Sequence, residues 1–246
     1  MTVSSPEKPG GDPAGSVEPA RPSSVLIVWV LLLLALNAIR WLGGFPAGNL
    51  AQGIEEGVAR AEIQARGEST EEQIRKIIRS QRETVSFWTA LAALDDFLIE
   101  PAVLAGRAVV VATLFAGVAA LSGRPIRYEL ALLESARIQG IWVLGLALRV
   151  ALLVGLRRAE HDVDTSLALL LGPGSHPAVS WMVLRQLDLF ALIGWGALGV
   201  AGWRRGDASL AAATTLCAGL CLVEIGVRTG IGLLLGGAIR LSLMVQ

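Results

Sequence analysis

The stretch that decides the fold is VLIVWVLLLLAL, residues 25–36, which holds no polar side chain. Extended by Asn37, Ile39, Trp41 and Leu42, it reaches the ~20 residues that a helix needs to cross the hydrocarbon of a bilayer. Trp29 and Trp41 are expected near the two interfaces of this span. Before it, residues 1–23 are rich in Pro, Gly, Ser and Glu, with too little apolar surface to offset the entropy of ordering, and they read as a disordered tail. That tail is long and more acidic than basic, and no A-x-A site follows the apolar run, so the run reads as a retained span rather than a cleaved leader.

Composition extends the reading to the whole chain. Of 246 residues 53% are hydrophobic and 17% charged, with a mean hydropathy of +0.59, whereas a soluble domain averages about 25% charged. The formal net charge is zero, which gives no electrostatic case for nucleic acid or acidic substrates as partners. Cys217 and Cys221 stand four apart inside an apolar stretch, a spacing that excludes a disulfide framework and a cysteine zinc site.

Four further apolar segments follow, at about 102–121, 138–156, 179–203 and 209–237. Trp181 and Trp203 bracket the fourth span at a separation of 22 residues, about 33 Å of helix rise. The fifth is too long for an upright helix, and Gly226, Gly230, Gly232 and Gly236 give it tilt or a break. Between the first two spans, residues 45–98 are charged and helix-periodic. Leu50, Ile54, Val58 and Ala61 form one stripe; Ser69 to Glu72 has capping-box spacing, and Ile74, Ile77, Ile78, Val85, Trp88 and Leu91 form a second stripe. An extracytoplasmic αα-hairpin is expected there.

The chemistry-bearing motifs read as structure. Gly194-Trp195-Gly196-Ala197-Leu198-Gly199 matches G-x-G-x-x-G, but it lies within an apolar span with no strand before it, where glycines serve close helix packing. Glu55-Glu56-Gly57-Val58-Ala59-Arg60 matches the E-E-x-x-x-R element of glutamate-type intramembrane proteases, yet both histidines, His161 and His176, sit in one loop; an intramembrane hydrolase is the remote alternative. His161, Asp162, Asp164 and His176 have no metal-motif spacing. No catalytic set, nucleotide site, metal or cofactor is expected.

Ionisable residues inside the spans are the strongest functional pointer, since each costs ~2.5–3.5 kcal/mol at mid-membrane on insertion scales. They are Arg107, Arg149, Arg185, Asp188, Glu224 and Arg228. Glu224 with Arg228, and Arg185 with Asp188, stand four and three apart, a spacing that lets each pair meet on one helix face. Arg107 and Arg228 lie near span ends, where arginines can snorkel. Gly226, Gly230, Gly232 and Gly236, like Ala112, Ala116 and Ala120, offer small-residue faces for helix packing.

The order of elements, with Thr70-Glu71-Glu72-Gln73-Ile74 in the extramembrane segment, Leu121-Ser122-Gly123-Arg124-Pro125 after the second span and Leu187-Asp188-Leu189-Phe190 in the fourth, resembles the bacterial Yip1-domain membrane proteins over residues 25–237. The resemblance implies five spans with the N-terminus inside, which agrees with the Lys and Arg count of the short loops. It also implies placement in the bacterial inner membrane and a non-enzymatic scaffold or accessory role, such as one beside export machinery, with other membrane proteins or a second copy as partners. Only Asp188, Phe190 and the small-residue faces carry over from the family pattern, and the Pro-rich tail departs from it.

The expectation is therefore an all-α integral membrane protein, a single five-span domain over 24–246 behind a disordered tail. Its function is that of a scaffold or accessory subunit; the alternative is a small transporter or lipid-handling channel with a buried polar path through Arg149, Asp188, Glu224 and Arg228.

Overall fold

A computed structural model describes residues 21–48, 79, 85–156, 163, 165–167 and 183–231, with helical backbone continuing to 244. The expected tail, the metal-like quartet around His161 and the E-E-x-x-x-R element lie outside the described residues, as does most of the expected hairpin. Among the described residues the fold is carried by α1 (Pro22–Leu42), α2 (Val85–Leu94), α3 (Glu100–Leu121), α4 (Tyr128–Ile138), α5 (Gly140–Leu156), α6 (Leu189–Arg204) and α7 (Leu210–Met244). No strand occurs among the described residues. Four helical stretches are long and apolar enough to cross a membrane: Pro22–Leu42, Val85–Leu121, Tyr128–Leu156 and Leu210–Ile231. The chain is an all-helical membrane protein.

The second crossing departs from its expected bounds. Helix runs without interruption from Val85 into α3, so the part of the expected hairpin at residues 85–98 is continuous with the second apolar stretch, one helical run of 37 residues. Pro101 explains how. It has no N–H to give to the carbonyl four residues back, and its ring would clash with that group. The chain answers with one π-helical turn over Asp95–Ile99, in which the Glu100 N–H reaches the Asp95 carbonyl. A π-turn absorbs one extra residue without ending the helix.

The fourth apolar segment is shorter than its sequence suggests. Helix α6 starts at Leu189 because Asp188 caps it, its side chain accepting from the Phe190 N–H at 2.7 Å. Asp is among the preferred N-cap residues. Just before it, Leu167 N–H donates to the Leu187 carbonyl at 3.0 Å and Leu189 N–H to that of Thr165 at 3.3 Å, holding Leu187 and Asp188 extended. Helix α7 has no break at its glycines; it is continuous for 35 residues.

Helices α2 and α3 form one continuous stretch, as do α4 and α5. At one end the chain turns sharply at Gly123 and Gly206, whose φ of 65° and 79° favour glycine; Arg124 donates to the Gly206 carbonyl and Arg205 to Glu134 there. Above these turns lies a core of Val111, Phe115, Trp195, Leu198, Ala213 and Cys217. Glycines set its spacing: a Cβ on Gly202 would run into the Phe115 ring, and one on Gly194 into Trp142. Gly194 and Gly199 of the G-x-G-x-x-G element thus lie on a helix-packing face, where a Cβ on Gly199 would stand 3.5 Å from the Ala213 carbonyl, while Gly196 faces open space. Trp29, expected at an interface, packs instead against Gly140.

Candidate functional site: a charged cavity between five helices

Opposite the Gly123 and Gly206 turns, the second half of α1, the π-turn and start of α3, residues 142–149 of α5, the start of α6 and the middle of α7 surround a cavity of about 390 Å³. Its lining holds five arginines and five carboxylates, built into three networks.

The deepest is centred on Arg107. Only 8% exposed, it sends Nε to Glu224 Oε2 at 3.1 Å and Nη2 to Glu224 Oε1 at 2.6 Å, and Nη1 to Gln139 Oε1 at 3.0 Å. Trp142 lies under its guanidinium, 4.2 Å from ring centroid to carbon, with Trp195 at 5.8 Å. A buried cation is tolerated when its donors are satisfied and an aromatic face stabilises it. Arg107 therefore does not snorkel. Gln139, at the junction of α4 and α5, is fully buried and fixed by its own bond to the Ser135 carbonyl.

Arg228 extends this network across to α3. It donates to Glu224 Oε1 at 3.1 Å, as the four-residue spacing predicts, and to Glu100 Oε1 at 2.5 Å, 128 positions away. These side chains span a gap, because α7 packs its backbone closely against α6 and not against the start of α3. Further along, Phe115 and Cys217 join α3 and α7 in one core. The two helices are thus joined by an apolar core at one level and a charged bridge at another.

The second network joins α1 to the π-turn. Asp96 takes Arg40 on Oδ1 at 3.2 Å and the Trp41 indole on Oδ2 at 2.8 Å, while buried Asn37 donates to the Asp96 carbonyl at 2.7 Å. The third joins α5 to α6: Arg149 forms an ion pair with Asp188, and the Thr165 hydroxyl, 3.0 Å from Arg149 Nε, donates to Asp188 Oδ2 at 2.9 Å. Arg185 lines the same cavity.

All six ionisable residues singled out in the sequence line the cavity: Arg107, Arg149, Arg185, Asp188, Glu224 and Arg228. The pairing differs from spacing alone. Arg185 and Asp188 do not share a helix, since α6 begins after Asp188; the ion pair described for Asp188 comes from Arg149, 39 positions earlier. Sequence reasoning missed Arg40, Asp95, Asp96, Glu100 and Gln139. The signal for three of them is Asp95-Asp96 and Glu100 standing within a run apolar on both sides.

The packing glycines divide. Gly226 and Gly230 have nothing within 4 Å of where a Cβ would stand, so they pack on no part of the described chain; the side-chain surroundings of Gly232 and Gly236 lie outside the description. No group of three or more metal-binding side chains occurs among the described residues. The chain matches no protein-family model, no curated protein and no solved structure, and nothing in these comparisons identifies a Yip1 domain.

Proposed function

We propose that the protein is a small transporter or lipid-handling channel of the cell membrane, whose working site is the charged cavity. The observation that carries this reading is the concentration of ten ionised side chains from five helices around one cavity inside an apolar bundle. Charges at membrane depth are expensive and gather where a polar species binds or passes, and a volume of about 390 Å³ falls in the range of small-ligand sites. In this reading α6 is a fifth crossing. Its 16 residues rise about 24 Å, and the cap at Asp188 ends the helix at the cavity rather than at the far surface. The N-terminus is inside, which puts Arg124, Arg127, Arg204 and Arg205 on the cytoplasmic side as the positive-inside rule asks, and the cavity in the outer half of the membrane.

The test is passage. Purified protein in proteoliposomes is assayed for exchange of fluorescent phospholipids between leaflets and for osmotic swelling in gradients of small polar solutes. The expected result is movement of at least one class above protein-free vesicles, lost in Glu224→Gln; movement of neither would overturn the reading.

A second reading, a Yip1-like scaffold or accessory subunit, rests on the outward face of α7, where Gly226 and Gly230 stand open and could admit a helix of another protein. Crosslinking from position 226 in native membranes followed by affinity capture tests it: a stoichiometric membrane partner supports a scaffold, and recovery of the chain alone removes it.

A further inference from the structure

We infer that the end of the bundle opposite the cavity is a binding surface for anionic phospholipids, in which arginines of the α3–α4 turn, α4 and the end of α6 hold the phosphodiester headgroups of one leaflet. That leaflet is the cytoplasmic one in the orientation proposed above. The surface is separate from the cavity and stands whether or not the protein passes a solute.

Two contacts make one surface of these elements. Arg124 donates from the α3–α4 turn to the Gly206 carbonyl in the α6–α7 turn at 2.7 Å, and Arg205 reaches Glu134 on α4. Arg127 follows Arg124 by three residues, Arg204 precedes Gly206 by two, and Arg137 stands one turn along α4 from Glu134. From 122 to 138 and from 204 to 209 the chain carries five arginines and three carboxylates, an excess of two positive charges. The pairing sharpens that excess. Glu134 and Asp207 are both taken by Arg205, which leaves Glu129 as the remaining carboxylate. The side chains of Arg127, Arg137 and Arg204 are exposed and make no ion pair or hydrogen bond among the described residues, and the described bond of Arg124 is to a neutral carbonyl. Arg205 itself is buried, its side chain 7% exposed, yet its Nη2 has no partner among the described residues. A buried donor left unmade is costly, and a phosphate oxygen is the kind of acceptor that would satisfy it.

The neighbours of these arginines select a lipid over a soluble anion. Leu121, Ile126, Leu130, Trp203 and Leu210 stand exposed among them, large apolar side chains that are unfavourable in water and at home against acyl chains. Arginine interleaved with exposed leucine and tryptophan suits a membrane–water boundary, where the stem lies along apolar surface and the guanidinium reaches the headgroups. A guanidinium grips a phosphate through two parallel hydrogen bonds and stays charged at any working pH. Arg127 is also the N-cap of α4, where no side chain caps the first-turn N–H groups, so the positive end of that helix adds to the same field. An excess of two charges is met by two singly charged phosphodiesters.

The experiment is native mass spectrometry of the full-length protein released from nanodiscs that hold phosphatidylglycerol and phosphatidylcholine in equal amounts. Each arginine near an anionic lipid surface is worth about fivefold in affinity. The wild type is therefore expected to retain phosphatidylglycerol at least twentyfold over phosphatidylcholine. Arg127→Gln combined with Arg204→Gln, which breaks no described bond, is expected to lower that preference at least tenfold. Arg137→Gln alone, the second variant should the first not fold, is expected to lower it about fivefold, and Glu129→Gln to leave it equal or raise it. No preference in the wild type overturns the inference, as does a preference unchanged in both arginine variants, which would put the lipid elsewhere on the protein. Displacement of the bound lipid by millimolar glycerol phosphate would mark a site for a soluble anion and overturns it as well.

Discussion

Arg107 and Glu224, 117 positions apart in the chain, form a two-point ion pair inside the helical bundle, with nitrogen to oxygen distances of 2.6 and 3.1 Å. It ties α3 to α7. Removing one partner of a buried pair leaves the other uncompensated, at about 3–5 kcal/mol. Glu224→Ala is expected to destabilise the fold by about this much, because it strands both Arg107 and Arg228. Glu224→Ala combined with Arg107→Leu is expected to recover a large part of the loss, since only Arg228 remains and it keeps Glu100. Reversible unfolding in mixed micelles, read as a double-mutant cycle, checks this; strictly additive losses would show that the pair does not couple the helices.

Asp188 does two jobs that substitution can separate. As N-cap it accepts from the Phe190 N–H, and as a carboxylate it pairs with Arg149. Asn is as good a cap as Asp but carries no charge. Asp188→Ala is expected to cost about 1 kcal/mol more than Asp188→Asn, the difference being the cap, with Asp188→Asn alone reducing passage through the cavity. Thermal unfolding of the two variants measures the first difference; equal stabilities would mean the helix end is held by its pairing with residues 165–167 instead.

Glycines on one helix are not equivalent to those on another. Gly202→Ala drives a methyl against the fully buried Phe115 ring and is expected to destabilise by about 1–3 kcal/mol, the usual range for overpacking. Gly226→Ala meets open space and is expected to be neutral, or stabilising by up to about 1 kcal/mol from helix propensity. A loss of stability in Gly226→Ala, seen only at concentrations where copies associate, would instead reveal a self-contact on that face.

Topology can be read from single cysteines in a background of Cys217→Ala and Cys221→Ala. Cysteines at Ser122 and Ser209, both exposed and close to Gly123 and Gly206, are expected to react with a membrane-impermeant maleimide only after the membrane is opened. A cysteine at Leu42, 90% exposed at the end of α1, is expected to react from outside, and one at Ile225, in the cavity lining, more slowly from the same side. Labelling of the two turns from outside would invert the orientation.

Much of this was legible beforehand, for definable reasons. Apolar runs such as 25–36 mark membrane helices because the cost of desolvating a polar side chain is paid residue by residue. Arg149, Asp188, Glu224 and Arg228 stood out as charges in such runs, and the Glu224–Arg228 contact follows from helical geometry alone. The limits of the second crossing were not legible, because Pro101 ordinarily ends a helix and only a π-turn carries the chain past it. Arg107 read as a snorkelling end residue, because the aromatic floor of Trp142 and Trp195 comes from two other helices.

The sequence by itself determined that the chain is helical and apolar enough for a membrane, and which charges cannot be casual, since those properties belong to single segments. The tertiary structure alone decided which charges meet. Arg107 with Glu224, Arg228 with Glu100, Arg149 with Asp188 and Arg40 with Asp96 join residues from 39 to 128 positions apart, and such pairing depends on the rotation of each helix about its axis. Rotation is set by contacts such as Phe115 against Gly202 and Trp142 against Gly194, which no single helix contains.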